Sequence, residues 1–358
     1  MASVEWGEYR IDDLFNIYTG RDVIIGKTSP GEIPLISHQN TENGVTRRIE
    51  HISNRRIFHY EETISLADRG VFYATTQNED FHIGTRVKAL VFKDGKKSEN
   101  VRLFFSSAIN KLQILFTDYS SNATDKLPKY KIQLPVLNGQ IDYNFMESFI
   151  EELEAERIEE LEAYLSVSGL KDTQLTADEL SALDKFNSIN WKKFNLETLF
   201  GKSTRGKRLK GDDRIGGNLP FVTAGETDEG ISAFISNDVE IFSSNTTTID
   251  MFGSAKYRNY NYGADDHIAV VHTENLSKYA AIFVTSACHK SAHNGDFSYS
   301  RNFYAKDADK LYISLPVKNE QPDYELMSTL ISAMQKLVIA DVVKFSDEKI
   351  KATKQVVG

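Results

Sequence analysis

The chain has 358 residues, 41% of them hydrophobic, with a formal net charge of -9 and a single cysteine, Cys288. This length and apolar content support two or three domains with sizeable cores, and a lone thiol excludes an internal disulfide. Met1–Arg10 has no signal-peptide pattern, and no apolar run reaches the roughly 20 residues that a membrane-spanning helix needs, so a cytoplasmic location is expected.

The first unit opens on Trp6–Phe15, WGEYRIDDLF. The polar Thr19-Gly20-Arg21 follows, then Gly31-Glu32-Ile33-Pro34-Leu35-Ile36, a turn running into a short strand, and Gly44-Val45. Short aromatic and β-branched runs such as Val87–Phe92 fill the middle, and Leu134-Pro135-Val136 closes the unit at 142. The pattern then turns helical over 143–168, where Met146, Phe149, Leu153, Ile158, Leu161 and Leu165 form one apolar stripe. A linker, 169–190, carries a capping box at Thr176 and Glu179 that starts a short helix.

The pattern then repeats. Trp191–Phe200, WKKFNLETLF, matches the opening at an offset of 185, and Thr204-Arg205-Gly206-Lys207-Arg208 and Gly217-Asn218-Leu219-Pro220-Phe221-Val222 follow in order. Leu315-Pro316-Val317, Asn319, Gln321, Asp323-Tyr324 and Met327 repeat the first closure at an offset of 181, agreeing at eight of thirteen positions. The second unit thus covers 191–323 and a second helix 324–358, with a stripe of Met327, Leu330, Met334, Leu337 and Val342. The frames match while the middles diverge. Trp6, Phe15, Trp191 and Phe200 read as core residues pinning the start of each unit. The expected fold class is α+β: two pseudo-symmetric globular domains separated by two long helices that form an antiparallel coiled-coil-like spacer.

Charge follows this division. Residues 1–142 carry 18 basic and 18 acidic groups and 191–323 carry 16 and 17, whereas 143–167 hold one basic residue and eight acidic ones. The negative excess sits on a connector, so bulk charge neither supports nor excludes a nucleic-acid partner.

No constellation of an enzyme stands out. His289 and His293 are four apart, but Lys290 stands where a zinc protease needs glutamate, and both read as ordinary polar residues. Asp323 and the Asp347-Glu348-Lys349 run lie about six helical turns apart, too far to share a metal. No phosphate-binding glycine loop and no NPPY-like methyltransferase motif occurs. No metal site is expected, and Cys288 reads as buried filler.

The openings at Trp6 and Trp191, the strands ending at Pro34 and Pro220, Phe297-Ser298-Tyr299-Ser300-Arg301 and the two closures together resemble the specificity (S) subunits of Type I and Type IIB restriction-modification systems. The resemblance covers nearly the whole chain. It implies two target-recognition domains that each read half of a split duplex DNA target, and two conserved-region helices on which modification or fused methyltransferase-nuclease subunits dock. It implies no catalysis and no cofactor in this chain, S-adenosylmethionine being held by the partner methyltransferase, which methylates adenine. A helix of about 25 residues rises about 37 Å, near the roughly 34–36 Å of one DNA turn, so half-sites about one turn apart are expected.

Loop residues able to touch phosphates or base edges are the candidate DNA contacts. In the first unit these are Thr19, Arg21, Lys27, His38, Gln39, Asn40, Arg47, Arg48, Thr76, Gln77 and Asn78. In the second they are Arg205, Lys207, Arg208, Lys210, Thr223, Lys256, Arg258, Tyr260, Tyr262, Tyr299 and Arg301. Two other readings fit the same sequence: a protein-only adaptor of the same duplicated architecture, which would not bind DNA even with partners present, and a hydrolase hidden in the divergent middles.

Overall fold

The computed structural model describes residues 4–68, 71–116 and 126–357, the stretch 352–357 as backbone only, so the expected end of the second helix at 358 lies outside the described residues. The chain divides into two compact units, Met1–Leu161 with Ile350–Gly358, and Glu162–Lys349. The division falls inside both long helices, after Leu161 and before Ile350.

In unit 1, β1 (Glu5–Arg10), α1 (Ile11–Leu14) and β2 (Phe15–Thr19) lead into the hairpin β3 (Pro30–Ile36) and β4 (Val45–Ile49). Next come β5 (Thr63–Asp68), β6 (Phe72–Thr75), β7 (His82–Ile83), β8 (Val87–Phe92), α2 (Glu99–Asn110), β9 (Lys131–Leu137) and β10 (Gln140–Ile141), and α3 (Tyr143–Val167) leaves the unit. A four-stranded sheet in the order β2-β8-β5-β6 lies between α2 and a smaller sheet, β4-β3-β7. Strand alternation builds both cores. Leu66, Leu90 and Phe92 face Phe105 and Ile109 of α2, while Val87, Ala89 and Val91 face Ile36 and Phe81 on the other side.

Unit 2 begins with the end of α3 and the short helix α4 (Ala177–Asp184), then repeats the plan: β11 (Trp191–Asn195), α5 (Leu196–Phe200), β12 (Thr204–Arg205), β13 (Gly216–Val222) and β14 (Ile231–Ile235). After these come β15 (Thr246–Asp250), β16 (Ala255–Arg258), β17 (Gly263–Ala264), β18 (Ile268–Val271), α6 (Lys278–Ala292), α7 (Ala305–Asp309), β19 (Tyr312–Lys318), β20 (Gln321–Pro322) and α8 (Tyr324–Val357). The sheets β12-β18-β15-β16 and β14-β13-β17 are the counterparts of those in unit 1.

The repeated closure has a physical explanation. Leu134 and Leu315 are fully buried, and Asn138 and Asn319 take the left-handed φ of 52° that the tight turn requires. Asp142 and Asp323 cap the long helices, their carboxylates accepting from the backbone N–H of Phe145 (2.9 Å) and Leu326 (3.0 Å). Met146 and Met327 then seat the first turn of each helix in its core.

Several sequence expectations need correction. On α8 the buried face is Met327, Leu330, Ala333, Val343 and Ser346, while Met334, Leu337 and Val342 of the expected stripe are exposed. The reason is polar. Lys336 turns inward to Glu179, which rotates the buried face away from the bulkiest aliphatics. On α3, Met146, Ile150 and Leu165 are buried and Ile158 and Leu161 half-buried, but Phe149 and Leu153 are exposed. Trp6 and Trp191 remain 48% and 45% exposed, each laying one ring face on a phenylalanine of the neighbouring helix, Phe104 and Phe283. Finally, Tyr324–Lys351 is long and apolar enough by length and composition to cross a membrane, contrary to the sequence reading; its Met327, Leu330 and Ala333 are buried in unit 2 and its Lys336 is ion-paired.

Candidate nucleic-acid interface

Each unit projects the same hairpin. In unit 1 the β3–β4 loop passes through Glu42 and Asn43 with φ of 47° and 53° and closes at Gly44; in unit 2 the β13–β14 loop passes through Asp228 and Glu229 at 48° and 55° and closes at Gly230. Backbone bonds shut both, from Ser37 N–H to Gly44 O (2.9 Å) and from Thr223 N–H to Gly230 O (2.8 Å). The loop that follows β2 or β12 lies beside it. There a Cβ on Gly20 would stand 1.9 Å from the carbonyl oxygen of Gly84, and one on Gly206 1.6 Å from that of Ala264, so only glycine permits the approach.

Arg21, Lys27, His38, Asn40 and Asn78 of unit 1 are exposed on these loops. Others are committed to the fold. Gln39 donates to Val45 O (3.1 Å), Arg47 to Ile25 O (3.3 Å), Thr19 accepts from Lys88 Nζ (2.9 Å), and the carbonyl of half-buried Thr76 accepts from Asn43 Nδ2 (2.6 Å). Arg48 forms a two-bond fork with Glu79 at 2.8 and 2.7 Å, and this partner holds the Glu79 carboxyl below its ordinary value. Gln77, expected among the DNA contacts, is turned into the fold. It is buried, donating to Asn43 O (2.9 Å) and Thr75 Oγ1 (3.2 Å).

In unit 2, Arg205, Lys207, Arg208 and Lys210 are exposed around Gly206, and Tyr299 (86% exposed) and Arg301 lie on the outer turn. Thr223 is half-buried. Arg258 and Tyr262, expected among the contacts, are likewise turned into the fold. Arg258 is buried, with Nε donating to Thr248 Oγ1 (3.0 Å) and Nη1 to the hydroxyl of half-buried Tyr260 (2.9 Å). Tyr262 is fully buried against Thr246 Oγ1 (2.9 Å), and burial drives its hydroxyl pKa upward. Lys256 is mostly buried between Glu226 (3.2 Å) and Ser254 Oγ (2.9 Å). The sequence marks these residues as polar but not which of them turn inward on β16 and in the segment after it.

Register explains the histidines. Ala74 N–H donates to Asn110 Oδ1 (2.7 Å) at the end of α2, and Ala255 N–H donates to His289 Nδ1 (3.1 Å) on α6, so His289 is a structural brace in the place of Asn110. Cys288 beside it is fully buried and its thiol is pushed up to about 12. Among the described residues, Asp265, Asp266 and His267 gather three possible ligand atoms within 4.8 Å, a group the sequence reading did not single out; His267 Nδ1 lies 3.2 Å from an Asp266 carboxylate oxygen. The sequence reading also missed Arg55 and Arg56, which line a pocket with Tyr18, Arg21 and Phe58. Their signal was the basic pair two residues before Phe58, whose backbone bridge to Phe81 matches that of Phe242 to Tyr262.

Comparison with known proteins agrees with the duplication. The family described as the Type I restriction modification DNA specificity domain matches residues 3–163 and again 188–342. The Type II restriction enzyme BgcI specificity subunit S.BcgI of Heyndrickxia coagulans is 23% identical over 345 residues, covering 94% of this chain and 96% of the relative. The crystal structure of the Type I restriction-modification system S subunit from M. genitalium superposes with a TM-score of 0.63 at 16% identity, covering 99% of this chain and 95% of that one, a likeness of fold.

Proposed function

The chain belongs to the Type I restriction modification DNA specificity domain family, and on that premise we propose that it reads a bipartite duplex DNA target, one part with each unit, and positions methyltransferase and nuclease subunits. The observation that carries this reading is the paired hairpin: two units present loops of one backbone shape but different side chains, as two unlike half-sites require. Arg21, Lys27, His38, Asn40 and Asn78 on one unit and Arg205, Lys207, Arg208, Lys210, Tyr299 and Arg301 on the other supply phosphate and base-edge contacts. α3 and α8 serve as spacer and docking surface. Support for docking comes from Met334, Leu337, Val338 and Phe345, which leave one face of α8 apolar and exposed. The partner methyltransferase brings S-adenosylmethionine and the chemistry, and this chain contributes recognition alone.

A mobility-shift assay on duplex DNA with the cognate methyltransferase subunit, run at two salt concentrations, tests the reading. A salt-sensitive shift that needs both proteins is expected. A complex that forms but never shifts DNA would favour the protein-only adaptor.

A further inference from the structure

Unit 1 carries equal numbers of basic and acidic residues over 1–142, yet its basic groups are not evenly spread. Arg21, Arg55 and Arg56 converge on one pocket of 250 Å³ at the corner where the loop after β2 meets the segment leading to Phe58. Among the described residues, no carboxylate lines that pocket. Asp22 and Glu50 line the adjoining pocket, which Arg55 also borders; Asp22 accepts from Thr85 Oγ1 at 2.5 Å through its carboxylate and from Arg55 Nη2 at 2.9 Å through its carbonyl. Arg56 lies over two rings tilted to each other, its guanidinium carbon 4.2 Å from the centre of the Tyr18 ring and 5.1 Å from that of Phe58. Cation–π contact of this kind holds the guanidinium at the pocket while its side chain stays exposed.

We propose that Arg21, Arg55 and Arg56 form a phosphate anchor that fixes the register of unit 1 on the DNA backbone without reading sequence. The inference rests on the DNA-reading function proposed above. A guanidinium held over two rings, in a pocket without a carboxylate among the described residues, suits the multi-donor contact that a phosphate takes. The pocket presents no paired donor and acceptor set, such as Asn or Gln uses on adenine, at its exposed rim apart from Asn54. Unit 2 solves the same corner differently. There the bridge of Phe242 to Tyr262 puts Val239 and Glu240 in the register of Arg55 and Arg56, and the basic groups come instead from Arg205, Lys207 and Arg208 beside Gly206. Positive charge at the corner is therefore kept in both copies while the segment that carries it changes, as expected when the ligand is the invariant backbone of DNA and not a particular base.

The test uses the full chain with its methyltransferase subunit and two duplexes, one that the wild-type complex methylates and one of scrambled sequence, with dissociation constants measured by fluorescence anisotropy across a salt series. For Arg55→Ala with Arg56→Ala, the slope of log affinity against log salt should fall by about 1.8, two contacts at about 0.9 each, on both duplexes. The preference for the methylated duplex should stay within twofold. Arg21→Ala, which removes a side chain outside the aromatic stack, should lower the slope by about 0.9 and guards against a folding defect in the double variant. An unchanged slope overturns the anchor, and so does a tenfold loss of preference at constant slope, which would make these residues base readers. If the wild-type complex binds neither duplex, the DNA-reading function itself falls, an outcome distinct from the other two.

Discussion

Glu179 on α4 is bonded to Lys336 on α8 at 3.1 Å, and the same carboxylate also accepts from Ser332 Oγ at 2.6 Å and from the Thr176 N–H at 2.7 Å. One side chain thus completes the capping box of α4 and ties the linker to the second long helix. Lys336 is bonded in turn to the Gln174 carbonyl at 2.8 Å and ion-paired with Asp172 at 3.3 Å, so the linker is stapled at three points. Burial pushes the Glu179 carboxyl up, but the donors from Ser332, Thr176 and Lys336 outweigh it and hold it down at about 2.

Glu179→Gln should lower the stability of unit 2 by about 1–3 kcal/mol near neutral pH, read by urea denaturation. Because the folded pKa lies below the ordinary value of 4.5, the contribution is complete above that value and is lost as pH falls toward 2. The gap between wild type and variant should therefore be flat from pH 6 upward and close on acidification. A gap that widened in acid would contradict the staple.

Val338, 79% exposed on α8, lies on the face proposed for docking. Val338→Asp should change stability by no more than about 1 kcal/mol. It should nevertheless abolish co-purification with the methyltransferase subunit if that face is the docking surface. Retained co-purification would place the partner elsewhere.

Arg258 and the Arg205–Arg208 pair should behave in opposite ways. Arg258→Ala removes a buried, doubly bonded side chain and should cost about 2–4 kcal/mol of stability. Arg205→Ala with Arg208→Ala should leave the melting temperature nearly unchanged and weaken DNA binding with a shallower salt dependence. Calorimetry beside anisotropy on the same preparations distinguishes them.

Gly206→Ala would place a methyl group against the Ala264 carbonyl, and since backbone must move, a loss of about 1–3 kcal/mol is expected. Gly211→Ala, where nothing lies within 4 Å, is the control and should be nearly neutral by thermal melting.

Inserting one heptad into both α3 and α8 adds a rise of about 10 Å, which corresponds to about three base pairs of duplex. The preferred gap between half-sites, measured by methylation of a spacer library, should lengthen by that amount. An unchanged gap would remove the helices from the role of spacer.

The frame of the fold was legible because its residues have single jobs. Asp142 and Asp323 cap, Asn138 and Asn319 turn, and Leu134 and Leu315 fill the core, so each copy had to keep them in step. The interface was less legible. Gln77 and Arg258 resemble loop residues in composition, yet both are buried and bonded within the fold, because a polar side chain reveals nothing of the face on which it lies. The α8 stripe failed for a related reason: hydropathy ranks Leu337 above Lys336, but Lys336 found acidic partners in a linker that helical period does not take into account.

The two hairpins owe their shape to backbone bonds at Gly44 and Gly230 and to the left-handed residues before them, not to the outward side chains of His38, Asn40 or Phe234. Chemistry at the tips can therefore change one position at a time while the scaffold keeps its form. Such a protein acquires a new preference through point substitutions that leave its folding free energy almost untouched.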